Sequence, residues 1–390
     1  MTRDESGSVE QIVKALVCCG CGACAVICPR GAVRIAEGEH FNRAHVDAEL
    51  CVECGRCLGV CPAAGVIAGE EGCAARHTEG FPEHLLLSAA DDEVRRDGAS
   101  GGLITALLAD LLDKGMIDGA VVVRQEEGRP LHCRPTLAQR AEDILAARGS
   151  RYQPASACLG LREVAEREGR YAFVGKGCEI TALRKLQAAE PLFEERIVLA
   201  VGLFCAATPA RSSTRGFLDS VGVDLAGVSS IDYRGQGWPG MFSVMNGTRV
   251  IYGCAYRQAW DFLAGGPRSL ACLLCDDGMA RASDISAGDP WGLPGGSEAG
   301  GGLSFALVRK EAAREALAQS LESGALRADT PPREWVSGRL ERQRSREVRA
   351  SAARDTYLAL FRRKRVLAAL KGGLRCFRTI FRQRLRRDQY

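Results

Sequence analysis

Eight cysteines in the first sixth of the chain repeat one pattern twice, C-x2-C-x2-C-x3-C-P. The first copy is Cys18, Cys21, Cys24 and Cys28 before Pro29; the second is Cys51, Cys54, Cys57 and Cys61 before Pro62. Thiolates at this spacing hold 4Fe–4S cubes, three from one run and the fourth from the other. The pattern therefore groups Cys18, Cys21 and Cys24 with Cys61, and Cys51, Cys54 and Cys57 with Cys28. Each proline stops the helix that would run on past the fourth cysteine. Zinc is the rival ion, but it needs four ligands and usually draws them from paired C-x2-C knuckles. A doubled run ending twice in Cys-Pro favours the cubes, which move electrons one at a time.

Four more cysteines stand at strand ends or turns: Cys178 in GKGCEI, Cys205 in GLFC, and Cys272 with Cys275 in CLLC. Strand ends converge at one edge of a parallel sheet, where ligands bind. Brought together there, the four would make a third cube or a structural zinc site; kept apart, they would be small buried residues. The small-residue turn GASGG at 98–102 precedes a helix, and backbone N–H groups at a helix N-terminus can bind phosphate. Its simpler reading is a capped helix with Ser100 as the N-cap.

The elements that must position these residues show in the periodicity. GASGGLITALLADLLDKG puts Ile104, Leu107, Leu108, Leu111 and Leu112 on one helical face, with Gly115 placed to stop it. DGAVVVR follows, a β-branched run of the kind buried in parallel sheets. A helix over 157–168, the strand YAFVG, the helix CEITALRKLQAAE and the strand IVLAVGLF continue the alternation. SSIDYR, a hairpin FSVMNGTRVIY turning on Asn246-Gly247, the strand LSFALVR and the helix KEAAREALAQSLESG close the body. This alternation predicts an α/β domain with a mixed or mainly parallel sheet. The organisation read from these signals is a two-cluster, α+β ferredoxin-like domain at 1–75, a linker at 76–96, the α/β domain at 97–345 and a basic tail at 346–390.

Composition excludes several classes. The chain has 390 residues, 46% hydrophobic and 26% charged, which fits two or three globular domains with real cores. Eighteen cysteines in a chain this long do not read as a secreted disulfide scaffold, and MTRDESGSVEQ offers no apolar signal core. No apolar stretch approaches the roughly 18–20 residues that span a bilayer. Cluster thiolates need a reducing compartment, so the expected location is cytoplasmic. Net charge is +4, yet eleven of the bases and no acid fall between Arg362 and Arg387, leaving the body acidic.

Five separated motifs carry a family resemblance. GASGGLITALLADLLDKGMIDGAVVV, SRYQPAS, FVGKGCEITALRKL, GLFC, and CLLCDD with the later DISAGDPWG resemble, in order, the family of coenzyme F420 hydrogenase/dehydrogenase beta subunits. That family includes methanogen hydrogenase subunits and the plant 7-hydroxymethyl chlorophyll a reductase. The resemblance runs from about Asp97 to Val308 and implies FAD beside a 4Fe–4S cluster held by Cys178, Cys205, Cys272 and Cys275. It also implies flavin-binding roles for Ser100, Gly101, Gly102 and Thr105. Family members commonly have Pro before the first of these cysteines, where this chain has Gly177. Lys176, beside it, could pair with a flavin phosphate, polarise the isoalloxazine or stand at the surface. The function so implied is an FAD- and 4Fe–4S-dependent oxidoreductase that couples one-electron transfer to hydride chemistry. Its partner would be a ferredoxin-like carrier or coenzyme F420, and its substrate is not named by the motifs. The alternative is a non-catalytic electron-transfer subunit that feeds a separate hydrogenase, dehydrogenase or reductase.

The remaining candidates are weaker. His40, His45, His77, His84 and His132 form no ligand spacing and read as surface or linker residues. Cys19, Cys73, Cys133, Cys158, Cys254 and Cys376 have no partner pattern and read as free thiols. Asp276, Asp277, Asp284 and Asp289 suit capping and turn duty more than ligand positioning. In the tail, Val366, Leu370, Leu374, Phe377, Phe381 and Leu385 recur at helical steps among Arg and Lys, with Gly372-Gly373 weakening the middle. This suits peripheral contact with an anionic membrane, or packing on the body or an acidic partner. Nothing suggests nucleic-acid recognition.

Overall fold

The computed structural model describes residues 7–68, 83–294 and 302–362. An eight-stranded mixed sheet organises the body. Its strands are β3 (Glu83–Ala89), β4 (Gly119–Glu126), β5 (Arg129–Ala138), β6 (Tyr171–Lys176), β7 (Ile197–Leu203), β11 (Ile285–Gly288), β12 (Ser304–Val308) and β13 (Leu326–Asp329). The order is β13-β3-β12-β11-β7-β6-β4-β5. The centre is parallel, with β11 on β7, β7 on β6 and β6 on β4; the outer pairs are antiparallel. Parallel neighbours need crossovers, and the helix Gly177–Ala189 between β6 and β7 supplies one.

Alternate residues of the central strands feed two cores. Val121 and Phe173 enter one, while Ala120, Val122 and Ala172 enter the other with Leu103, Leu107, Leu108 and Leu111 of the helix Leu103–Asp113. Burial on both faces explains why β4 reads GAVVV without polar alternation. The N-terminal module, with β1 (Val33–Glu37) paired antiparallel to β2 (Asn42–Val46), packs on the first face. Val17, Ala23, Ile27 and Val60 share a single apolar cluster with Phe173, Ile180 and Leu183, so the module is fused to the body by core packing. Arg211 reinforces the junction, donating to the carbonyl of Leu131 at 3.0 Å and to Asn42 Oδ1 at 2.8 Å. A separate antiparallel sheet, β8 (Ser230–Asp232), β9 (Met241–Asn246) and β10 (Arg249–Ala255), carries the expected hairpin.

Three features differ from the sequence expectation. The expected linker at 76–96 instead holds, from residue 83 on, β3 and all but the last residue of the helix Asp92–Asp97. β3 pairs with β12 and β13 from the far end of the chain, so its place in the sheet has no local signal. It also carries His84, half-buried and stacked on Phe305, which is therefore neither surface nor linker. Next, the helix Arg333–Arg362 runs through the expected boundary at 345/346. Its far half is anchored, with Arg354 bonded to Asp276 at 3.0 Å and the Tyr357 hydroxyl donating to the carbonyl of Ala15 at 2.8 Å. The apolar tail positions from Val366 onward lie outside the described residues. Finally, the helix expected over 157–168 is a 3-10 turn at Ala157–Gly160 followed by a short α-helix, Leu161–Ala165.

Candidate cluster and cofactor site

Both cysteine runs fold around left-handed glycines. Gly22 (φ 96°) and Gly55 (φ 73°) start the short helices Ala23–Ile27 and Arg56–Gly59, a conformation that costs glycine little. The first helix ends at Ile27, and Cys28 turns extended because it precedes Pro29. Cys28, Cys51, Cys54 and Cys57 line one small recess. Burial pushes the Cys61 thiol up to about 11, with the charge of Cys18 adding to the rise. Cys24 is raised by burial first and then by Cys61 and Cys18.

The second set also converges. Cys178 opens the helix after β6, Cys205 follows β7, and Cys272 and Cys275 flank the end of the helix Leu270–Leu273. The Cys205 N–H donates to the carbonyl of Gly278 at 2.9 Å, tying the β7 loop to the cysteine-pair loop. Burial first and then the charge of Cys272 push Cys205 up to about 12; Cys275 is raised by burial and then by Cys178. Thiols that oppose one another's ionisation are relieved by bound cations. Among the described residues, no three of these sulfurs lie within 4.8 Å of one another.

Sequence reasoning missed two thiols here. Cys19 and Cys178, Cys19 and Cys21, and Cys21 and Cys158 shift one another's ionisation, and the Cys158 backbone N–H donates to the Cys21 carbonyl at 3.0 Å. Cys19 and Cys158 thus sit between the module's first cysteine set and the body's set. The Cys18-Cys19 doublet was the only local signal.

Beside the body's cysteines opens a cleft of about 1380 Å³. Ser100, Gly102, Thr105, Lys176 and Cys205 all line it. The helix Leu103–Asp113 points its N-terminus there with Gly102 (φ 71°) as N-cap and no side-chain cap. Ser100 is therefore not the N-cap; its hydroxyl donates to the carbonyl of Leu303 at 2.6 Å. Gly101 does not line the cleft. Its N–H donates to Ser304 Oγ at 3.0 Å, and a Cβ there would stand 2.6 Å from the Leu87 carbonyl oxygen, so this glycine serves packing against β3 and β12. Lys176 is no surface lysine: its ammonium is bonded to Glu179 Oε1 at 2.7 Å. Gly177 has a local reason as well, since a Cβ would meet the Asp277 carboxylate at 2.7 Å.

The opposite wall is cationic and aromatic. Arg234 is buried, bonded to Asp289 Oδ2 at 2.6 Å, and its guanidinium lies 4.5 Å from the Tyr256 ring centroid. Its Nη2 and the Nε atoms of Arg151 and Arg339 have no hydrogen-bond partner. Tyr152 and Trp260 pack at 4.8 Å and Trp291 completes the wall. Arg151, Tyr152, Asp289 and Trp291 fall within the SRYQPAS and DISAGDPWG motifs, whereas Arg234, Tyr256, Trp260 and Arg339 had no motif to announce them. Of the aspartates, Asp277 accepts from the backbone N–H of Met279 and Arg281, the expected turn duty. Asp289 departs from that expectation by holding both Arg234 and the Trp238 indole at 2.8 Å. His132 is paired with Glu37 at 2.9 Å, which Arg129 also engages at 2.6 Å.

The chain matches known families and proteins over most of its described length. Residues 86–161 match the N-terminal family model of the "Coenzyme F420 hydrogenase/dehydrogenase, beta subunit", and residues 168–334 match its C-terminal model. Residues 17–64 match a "4Fe-4S dicluster domain". The chain is 28% identical over 300 residues to the coenzyme F420-dependent sulfite reductase of Methanocaldococcus jannaschii, covering 72% of this chain and 43% of that protein. It is 29% identical over 203 residues to an F(420)H(2) dehydrogenase subunit of Methanosarcina mazei, covering 50% of this chain and 55% of that one. The chain thus spans about half the length of these two relatives. The beta subunit of the coenzyme F420 hydrogenase of Methanothermobacter thermautotrophicus is 26% identical, with 66% and 86% covered. A chain of the F420-reducing [NiFe] hydrogenase complex from Methanosarcina barkeri shares the fold, with a TM-score of 0.55, 22% identity, and 70% of this chain and 91% of that chain covered.

Proposed function

We propose, for a chain that belongs to the family of coenzyme F420 hydrogenase/dehydrogenase beta subunits and carries an N-terminal 4Fe–4S dicluster domain, that it is an iron–sulfur flavoprotein oxidoreductase. One observation carries this reading: a single cleft is lined both by an uncapped helix N-terminus and by Cys205 of the body's cysteine set. Twelve cysteines form the three candidate cluster sites, Cys18, Cys21, Cys24 and Cys61, then Cys28, Cys51, Cys54 and Cys57, then Cys178, Cys205, Cys272 and Cys275. FAD, when bound, exchanges two electrons with a substrate and single electrons with a cluster. The cleft exceeds the roughly 300–1,000 Å³ of a common ligand pocket, which leaves room for a dinucleotide and a second molecule.

The chain's own residues supply binding and exclusion. The first-turn N–H groups after Gly102 face the cleft without a side-chain cap, and they suit a diphosphate. Thr105 adds a hydroxyl on the same turn. Arg151, Arg234 and Arg339 offer partner-free N–H groups to a second anionic molecule, and the Tyr152, Tyr256 and Trp260 rings offer a stacking wall. Lys176 holds a positive charge close to Cys178 and Cys205, which favours the electron-rich state of that site.

A second reading, an electron-transfer subunit serving a separate catalytic chain, is favoured by relatives that are named as subunits. Anaerobic purification with iron, sulfide and flavin analysis, followed by addition of reduced coenzyme F420, separates the two. One FAD per chain and bleaching of the clusters by reduced F420 support the first. No flavin, with clusters that respond only to dithionite, leaves the second. A cytoplasmic location belongs to the same proposal, because the cluster thiolates need reducing conditions. Among the described residues no helix is long and apolar enough to cross a membrane. Anionic-surface contact through residues 363–390 is tested by liposome co-sedimentation of the full chain against one ending at Leu360.

A further inference from the structure

The two cysteine sets of the N-terminal module face different surroundings. The first abuts the body: the Cys158 backbone N–H donates to the Cys21 carbonyl at 3.0 Å, and Lys185 donates to the Cys61 carbonyl at 3.0 Å. The second lines a recess at the surface, and Cys54 is the one exposed cysteine among the described residues. Beside it Leu50 and Val52 are 45% and 60% exposed. Asp47, Glu49 and Glu53 are exposed on the same loop, which an Asx turn shapes through the Glu49 N–H on Asp47 Oδ1 at 2.9 Å. The nearby bases are Arg30 and Arg56, and Arg56 is engaged by Glu190. The result is a small apolar patch with an acidic rim around the outermost cluster site.

We propose that this face, Leu50, Val52 and Cys54 with Asp47, Glu49 and Glu53, is the port where a one-electron carrier protein docks, its redox centre ringed by basic and apolar side chains. The proposal rests on the cluster reading above. Tunnelling falls steeply with distance, so a protein partner must approach where a cluster lies nearest the surface. Acidic rims steer basic partners, and a small patch suits the brief encounters of electron carriers. In the step itself one electron leaves a reduced 4Fe–4S cube and reduces the carrier's centre by one; no bond breaks and no proton moves. The inward set, joined to the body through Cys21 and Cys158, completes the line from port to cleft.

Cytochrome c, a basic one-electron acceptor with an exposed haem edge, is the probe. Reconstituted full-length protein is reduced with dithionite, desalted anaerobically and mixed with it. The small acceptor propyl viologen sulfonate, which has no net charge, serves as control. Glu49→Lys/Glu53→Lys and, separately, Val52→Asn, which removes apolar contact without adding charge, should each lower the bimolecular rate with cytochrome c roughly tenfold at low salt. Calorimetric binding of oxidised cytochrome c should weaken in parallel. Iron content, the reduced-cluster EPR signal and the viologen rate should stay as in the parent chain. The parent's rate should also fall with added salt, and the charge-reversed variant's should not. Unchanged cytochrome c rate and binding in both variants would overturn the port. A parent chain that reduces the viologen but neither binds nor reduces cytochrome c also removes the port alone. A chain without iron that reduces neither acceptor removes the cluster reading and the port with it.

Discussion

Replacing Lys176 by Met tests the electrostatics of the body's cysteine set. Lys176 Nζ lies 2.7 Å from Glu179 Oε1, with the two side chains 20% and 3% exposed. Burial pushes the lysine toward neutrality, but the Glu179 carboxylate, then Cys178 and the Glu179 hydrogen bond, outweigh it and keep the ammonium charged. Met keeps most of the volume and leaves Glu179 buried with one donor, the Lys176-position backbone N–H at 2.9 Å from Oε2. Stranding one partner of a buried pair costs roughly 3–5 kcal/mol. The surviving N–H bond puts the expectation at the low end, about 3 kcal/mol. At about 2–4 °C per kcal/mol, the melting point should fall by about 6–12 °C. The double variant Lys176→Met/Glu179→Gln should recover most of this, because the cost comes from an uncompensated charge and not from lost packing. Anaerobic thermal melts of the parent, single and double variants at neutral pH give the comparison. EPR-monitored potentiometry should show the cluster beside Cys178 shifted to lower potential once the positive charge is gone. A single variant melting within about 2 °C of the parent, or a double variant no better than the single, would refute the reasoning.

Anaerobic full-length protein should hold about twelve irons and Cys272→Ser about eight; equal iron in the two would remove the third cluster site. Gly101→Val should fail to fold or melt far lower, since its Cβ has no room beside the backbone of Leu87 and Ser304; a variant that melts like the parent and lacks only flavin would contradict the packing role. Arg346→Ala removes donors to the carbonyls of Cys205 and Ala206, and should make the body's cluster more labile to oxygen while the module's clusters persist, a difference read by EPR on air exposure. His84 is held below the ordinary histidine range by burial and by Arg309, so the unfolded chain binds the extra proton and stability falls as pH drops from about 6.5 through the lowered pKa. His84→Phe, which keeps the stack on Phe305, should flatten that part of the melting curve against pH; an unchanged slope would assign it to another group.

What the sequence determined was whatever is encoded over a few residues. The C-x2-C-x2-C-x3-C-P runs specify their own turns, because the spacing, the glycines at 22 and 55 and the prolines after Cys28 and Cys61 act within one helical turn. The strands β4, β6, β7 and β12, the helix Leu103–Asp113 and the Asn246-Gly247 hairpin were likewise visible, since periodicity and turn chemistry are local. Tertiary structure decided the rest. β3 joins the sheet only because β12 and β13 arrive from the far end of the chain, and a short apolar run cannot announce partners that distant. Gly101 and Ser100 looked like parts of a phosphate turn, yet the first packs on β3 and β12 and the second bonds to Leu303, contacts that exist only once the sheet has closed. Cys19 and Cys158 gain their neighbours when the module docks by apolar burial on the sheet face. The cationic, aromatic wall has the same origin: Tyr152, Arg234, Tyr256 and Trp291 meet because packing, unlike a motif, takes no account of separation along the chain.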